Sequence, residues 1–174
     1  MKDAVMIVDR QDRMQGTMDK MAAHRTGTLH RALSVFIFNS DGELLLQQRA
    51  MGKYHSGGLW TNTCCSHPRL GEPVAAAAER RLWEEMGMRT ILNHTFSFYY
   101  HAQVSEELIE HEFDHVFFGS SDALPSIDPA EAVGYRYLSM DELAKDMEAY
   151  PERYTAWLAI CFGQVKEHYT KFVK

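Results

Sequence analysis

Short apolar runs separated by turn-forming residues fill the first part of the chain, and a helical apolar repeat enters only after Pro73. Ala4 to Val8 reads as a strand, Arg10 to Gly16 as polar turn material, and Thr17 to Met21 as the returning strand, so a small amino-terminal hairpin is predicted. Leu29 to Phe38 is mostly apolar and rich in β-branched and aromatic residues near its end. Asn39-Ser40-Asp41-Gly42 and then Glu43 to Gln48 follow, and an Asp-Gly pair between apolar runs predicts a second hairpin. Beyond a glycine-rich loop, Lys53 to Gly58, the stretch Leu59 to Ser66 has strand character, and Pro68 to Gly71 turns the chain.

Pro73 opens a helix that should run to about Met86 and stop at Gly87. Val74, Ala78, Leu82 and Met86 recur at every fourth position, so this helix packs along one stripe. Strand character returns at Thr95 to Ala102, Glu110 to Phe118 and Tyr135 to Leu138, punctuated by Pro125, Pro129 and Gly134. Ser139 with Glu142 forms a capping box for a short helix. Pro151 is expected to begin a last helix whose buried stripe is Tyr154, Leu158, Cys161, Val165 and Phe172. With no repeat, low-complexity tract or linker, the predicted class is α+β: a mixed sheet sandwiched between helices, with the hairpin added.

A chain of 174 residues, 45% of them hydrophobic, suffices for one compact domain over residues 1–174 with a core and a pocket. The net charge of −6 argues against a general nucleic-acid or membrane binder. Of three cysteines, Cys64 and Cys65 are adjacent and poorly placed to cross-link distant segments, which fits a reducing, cytoplasmic setting. The apolar run among the first residues spans about five positions, too short for a signal-peptide core or a membrane span.

Four groups of residues carry candidate chemistry. On the helix after Pro73, Glu84 and Glu85 lie one turn from Arg80 and Arg81, a spacing that also suits plain intrahelical ion pairs. Ahead of it stand Trp60-Thr61-Asn62 and Cys64-Cys65-Ser66-His67-Pro68. On an extended strand Cys65 and His67 share a face and Cys64 takes the other, although a strand cysteine is ordinarily just a small buried hydrophobe. Glu110 and Glu112 are two apart, so both can reach one cation, with Tyr99, Tyr100 and His101 upstream. His24 and His30 come early, among nine histidines, where chance placement is easy.

The segment Glu72 to Met88 resembles the Nudix box, matching at Glu72, Arg80, Leu82, Glu84, Glu85 and Gly87. It departs at Ser66, where the box has its first glycine, and at Arg81, where it has a glutamate. A cation in a carboxylate cage that would hold Mg²⁺ and activate water weakens hydrolysis and leaves diphosphate binding in place. The Trp-Thr-Asn and Cys-Ser-His-Pro pattern is similar to that of type 1 isopentenyl diphosphate isomerases. The resemblance runs from Lys20 through Trp157, with its motifs in the family's order.

This resemblance implies a Nudix-type fold and a transposition of a carbon–carbon double bond in isoprenoid precursor biosynthesis. It implies a metal site at His24, His30, His67, Glu110 and Glu112, holding Mn²⁺, Mg²⁺ or Zn²⁺ by ligand type. It also implies Mg²⁺ bridging the substrate diphosphate to Glu85, with Lys20, Arg49, Lys53 and Arg81 gripping that diphosphate. Glu112 with Tyr100 would handle the proton at the alkene terminus, Cys65 as thiolate would take the allylic proton, and Trp157 would face the carbocation. The expected partner is a small allylic or homoallylic diphosphate, with no nucleic acid or membrane, for a monomer or weak dimer. The alternatives are a Nudix pyrophosphohydrolase of a nucleoside diphosphate derivative and, against the absent Cys-x-x-Cys pairs, a structural zinc module.

Overall fold

The computed structural model describes residues 3–173, so Met1, Lys2 and Lys174 lie outside the described residues. Strands β1 (Ala4–Val8) and β2 (Met14–Asp19) form the expected antiparallel hairpin, with an irregularity between Ile7 and Val8. The second strand ends at Asp19 rather than continuing to Met21, because helix α1 (Lys20–Thr26) begins there. Asp19 accepts the Ala22 N–H at its amino end, and Gly27, at φ 63°, closes it. Seven residues are too few to display an apolar repeat, so only these two end signals marked the helix in the sequence.

Strand β3 (His30–Phe38) runs through the middle of the sheet. Its side chains alternate between two cores: Leu33, Val35 and Ile37 meet helix α2 (Val74–Met86), whereas Phe36 and Phe38 meet helix α4 (Ala156–Phe172). Both faces being covered, the strand reads as an almost unbroken apolar run. Strand β4 (Leu44–Arg49) follows the Asp41-Gly42 turn, yet among the described residues it pairs with β3 only at Phe38 and Leu44. The two strands then splay, and the expected strand Leu59 to Ser66 divides to fill the gap.

Its first part, β5 (Trp60–Thr61), pairs with β4, and its second, β6 (Cys64–Ser66), pairs with β3. Between them Asn62 Nδ2 donates to the carbonyls of Val35 and Cys64, and Thr63 Oγ1 accepts from Ile37 N and donates to Leu45 O. Side chains thus satisfy backbone groups that the splayed strands leave without ladder partners.

Strand β8 (Ile109–Ser120) lies parallel to β3 from the pair His30 and Glu112 to the pair Phe38 and Ser120. Strand β7 (Asn93–Gln103) is antiparallel to β8, and β9 (Ala132–Leu138) is antiparallel to β4. Helix α3 (Met140–Ala149) has the predicted capping box at Ser139 and Glu142. Pro151 opens only a short 3-10 turn, Pro151–Arg153, and α4 starts five residues later than expected, at Ala156. Thr155 precedes it, its hydroxyl bonded to Thr61 and its N–H to the Trp60 carbonyl, so the last helix is tied to the loop that carries the cysteines. Leu158, Cys161 and Val165 are buried as foreseen, Tyr154 is buried ahead of the helix, and Phe172 packs at the edge of the core. The architecture is therefore α+β, a mixed sheet between α2 on one face and α3 and α4 on the other. No helix among the described residues is long and apolar enough to cross a membrane.

Candidate active site and metal centre

Sheet register builds the site. Glu110, Glu112 and Asp114 are buried at alternate positions of β8, on the stripe that continues into Val116 and Phe118. The inner stripe of this strand is therefore acidic at one end and apolar at the other. Parallel pairing sets His30 beside Glu112, and antiparallel pairing sets Tyr100 on its other side. Helix α1 contributes Lys20 and the buried His24, and the segment leaving β6 contributes His67. Of these groups Lys20, His67, Tyr100, Glu110 and Glu112 line one pocket.

His24, His30, His67 and Glu112 offer ligand atoms all within 4.8 Å of one another, and His24, His55 and Glu110 form an overlapping set. His24 Nδ1 donates to the Lys20 carbonyl at 2.7 Å and His30 Nδ1 to that of Thr28 at 2.8 Å. Those bonds fix each ring with Nε2 turned towards the carboxylates, the arrangement that orients metal-binding imidazoles. His67 Nε2 lies 2.8 Å from Glu112 Oε1 and His30 Nε2 3.4 Å from the same oxygen. The Nε2 atoms of His30 and His55 are buried without any hydrogen-bond partner, which costs about 1–3 kcal/mol for each buried polar group left so. A divalent cation bound among these nitrogens and carboxylates would supply the missing partner, so the residues present fit one.

The electrostatics agree with a site organised around positive charge. Burial would raise Glu112, but its neighbours, the His30 imidazole foremost, hold it at about 2. Burial presses on His24 in the opposite sense, yet Glu110 keeps it above the ordinary imidazole value. Burial, with Lys20 and the other imidazoles nearby, pushes His67 well below that value.

Tyr100 donates to Glu112 Oε2 at 2.8 Å and lies 3.3 Å from Glu110 Oε2; burial and both carboxylates push its phenol well up, so it stays protonated. On β6, Cys65 pairs with Ser34 and faces this pocket, whereas Cys64 is fully buried in the core against α2. Trp157 Nε1 donates to Cys65 Sγ at 3.0 Å, and that sulfur lies 2.9 Å from Asn62 Oδ1, to which the thiol donates. Burial, then the carboxylates of Asp114 and Glu85, push the Cys65 thiol up to about 12. These surroundings favour the thiol over the thiolate anticipated from the sequence. The Trp157 ring already faces a cation, the Arg49 guanidinium 5.1 Å from its centroid.

Lys20, Arg49, Lys53 and Arg81 converge on the same pocket. Burial and the nearby Lys53 hold Lys20 below the usual lysine value, the mark of cations crowded where an anion would relieve them. Arg81 bonds Glu84 and Glu85 at 2.7 Å and Glu131 at 3.0 Å, and Lys53 pairs with Glu131. Arg80 turns outward to Glu72 and Glu84. The intrahelical pairs that the spacing allowed therefore both form, but only Arg81 and Glu85 face the pocket. Glu85 Oε2 also accepts from Gln47 at 2.9 Å, and burial raises its carboxyl against the pull of Arg81.

The residues brought together include every one expected to hold metal, grip the diphosphate or handle a proton, and several that were not. Asp114 extends the alternation of Glu110 and Glu112, a signal that was legible. His55 and Glu131 lie in segments whose pattern gives no hint of them, and Asn62 had been only one letter of a motif.

A mixed sheet with a carboxylate-bearing helix beside a cation-lined pocket defines a protein of the Nudix class, and a NUDIX domain model matches residues 28–158. The fold is similar to that of DR0079 from Deinococcus radiodurans, with a TM-score of 0.79 at 21% identity over 93% of this chain and 98% of that one. It is also similar to a MutT protein from Methanosarcina mazei, with a TM-score of 0.66 at 19% identity over 80% and 94%. By sequence the chain is 53% identical over 165 residues to isopentenyl-diphosphate Delta-isomerase 2 of Aromatoleum aromaticum, covering 95% of this chain and 87% of that protein. It is 50% identical over 168 residues to isopentenyl-diphosphate Delta-isomerase of Pectobacterium atrosepticum, covering 97% and 94%. The chain belongs to the isopentenyl-diphosphate Delta-isomerase family within the Nudix fold.

Proposed function

We propose that this protein is an enzyme interconverting isopentenyl diphosphate and dimethylallyl diphosphate by protonation and deprotonation, a 1,3-allylic rearrangement that supplies isoprenoid precursors. One observation carries the reading. Cys65 with Trp157 against its sulfur, and Glu112 with Tyr100 bonded to it, line the same pocket as the four cations Lys20, Arg49, Lys53 and Arg81.

The chemistry needs two proton-handling groups, a polarisable surface for a tertiary carbocation, and a grip on a diphosphate that must stay intact. Glu112 and Tyr100 exchange the proton at the alkene terminus, and Cys65 exchanges it at the allylic carbon. Cys65 as thiol and Glu112 as carboxylate are the forms from which the direction starting from dimethylallyl diphosphate begins. The opposite direction starts with the Cys65 proton moved to the Glu112 and Tyr100 end. Trp157 presents its ring to the cation, worth about 2 kcal/mol or more when desolvated.

His24, His30, His67, Glu110 and Glu112 would hold one Mn²⁺, Mg²⁺ or Zn²⁺, and Glu85 would hold Mg²⁺ brought with the diphosphate. When bound, such an ion beside Glu112 supplies positive charge that favours its carboxylate form. Arg81, tied to Glu84, Glu85 and Glu131, occupies the cage where water activation would need another carboxylate, which favours holding the diphosphate over cleaving it. Residues 1–174 act as one domain in the cytoplasm, as a monomer or weak dimer without nucleic acid or membrane. The free state of Cys64, Cys65 and Cys161 and the net charge of −6 support that setting.

The test is to incubate the protein with isopentenyl diphosphate and Mg²⁺ in deuterated water and follow alkene protons and phosphorus by NMR. Deuterated dimethylallyl diphosphate with its phosphorus signals unchanged is expected. Released phosphate with an unmoved double bond would instead establish a hydrolase.

A further inference from the structure

His55 stands in the loop between β4 and β5 and belongs to none of the motifs that identify the site. Its side chain is 1% exposed and its Nε2 lies 2.5 Å from Glu110 Oε1. That same oxygen lies 3.5 Å from His24 Nε2, so one carboxylate oxygen faces two imidazole nitrogens. The His24 and His55 ring centroids are 5.8 Å apart.

Despite its closeness to Glu110, His55 Nε2 makes no hydrogen bond. The other ring nitrogen, Nδ1, lies 3.0 Å from Ser56 Oγ, which can accept its proton just as backbone carbonyls accept those of His24 and His30. With Nδ1 protonated, Nε2 presents a lone pair 2.5 Å from an anionic oxygen in a buried site, and His24, His55 and Glu110 offer ligand atoms within 4.8 Å of one another. Two acceptors so placed repel unless a cation is shared between them.

The loop is shaped to hold the ring there. Ser56 takes a left-handed backbone conformation, φ 52°, which costs a residue with a side chain about 1 kcal/mol or more. Gly57 leaves no room for a Cβ, which would come 2.6 Å from the Met51 carbonyl. Arg49 Nη2 donates to the His55 carbonyl at 3.2 Å, tying the loop to the cation cluster.

We infer that His55 is a sixth protein ligand of the metal centre, which makes it a centre of four imidazoles and two carboxylates. The inference rests on the reading of His24, His30, His67, Glu110 and Glu112 as metal ligands. Imidazole nitrogen suits Zn²⁺ and other transition ions, whereas Mg²⁺ prefers oxygen, so a fourth imidazole shifts the choice of ion.

The experiment uses the whole chain, stripped of metal and reloaded with Zn²⁺ without substrate. X-ray absorption at the zinc edge counts imidazoles, and calorimetry gives affinity and stoichiometry for Zn²⁺ and Mg²⁺. One Zn²⁺ per chain with four imidazoles is expected. His55→Gln and His55→Ala should each show three imidazoles and at least ~10-fold weaker Zn²⁺ binding, with a smaller loss for Mg²⁺. Circular dichroism of the metal-free variants checks folding, and the wild-type imidazole count needs no variant at all. Three imidazoles in the wild type, with His55 variants binding normally while His67→Ala loses the ion, would overturn the inference and leave the centre standing. Two Zn²⁺ ions per chain, one lost with His55, would also overturn it. No Zn²⁺ bound by the wild type would overturn the metal centre itself.

Discussion

Adjacent cysteines have different fates here because a strand sends successive side chains to opposite faces. Cys64 is wholly buried against α2, and Cys65 meets Trp157 and Asn62 in the pocket. Cys65→Ala and Glu112→Gln should each lower turnover at least ~10²-fold in the NMR assay, the scale for losing a general acid or base. Activity within tenfold of wild type in either variant would contradict the proposed roles. Cys64→Ala should retain turnover and lose about 1 kcal/mol of stability, read as a lower urea midpoint, because it removes only core packing.

Elements carry the site through their ends and their ties. Helix α1 is short, so its hold on His24 depends on the Asp19 cap and the Gly27 stop. Asp19→Ala should cost about 1 kcal/mol and weaken Zn²⁺ binding, because the ring of His24 moves with the helix. Equal Zn²⁺ affinity in titrations of the two proteins would show that α1 is positioned by its packing instead. At the start of α2, Arg80 bonds Glu72 through both Nε and Nη2. Those bonds, from Arg80 first, hold Glu72 below its usual 4.5. A carboxyl lowered in the folded state contributes stability that is full above the unfolded value and fades as pH falls through the folded one. Wild-type urea midpoints should therefore drop between pH 7 and pH 4 by more than those of Glu72→Gln, whose side chain cannot titrate.

For the molecule as a whole, the candidate metal centre joins α1, β3, β8 and the segment after β6, elements far apart in sequence. An ion that binds only the folded chain stabilises it by about 2.7 kcal/mol at a hundredfold excess over Kd. For a chain of this length that corresponds to roughly 5–10 °C in Tm. Chelation should lower the melting temperature by that amount in a thermal scan, and returning Zn²⁺ or Mn²⁺ should restore it. An unchanged melting temperature after verified metal removal would mean that the histidines and glutamates satisfy one another without an ion.

Much of this was legible in the chain itself. Periodicity placed α2 and the long strands, because side-chain repeat and burial are coupled along one element, a capping box placed α3, and alternation within single strands separated Cys64 from Cys65 and put Glu110 and Glu112 on one face. Where the sequence misled, the cause was non-local. The stretch Leu59 to Ser66 divides because β3 and β4 splay, and α4 begins after Thr155 because that residue bonds Thr61 and Trp60. The protonation of Cys65 depends on burial and on Asp114, residues away on another strand. His55 reaches the pocket because a loop folds back onto Glu110, and Glu131 because it meets Arg81 and Lys53 there. The sequence alone determined the kind of chemistry, since residue types and their spacing within an element are local. Only the tertiary structure decided which of these side chains meet in one pocket and in which direction burial and neighbours shift them, since that depends on which distant side chains share one low-dielectric space.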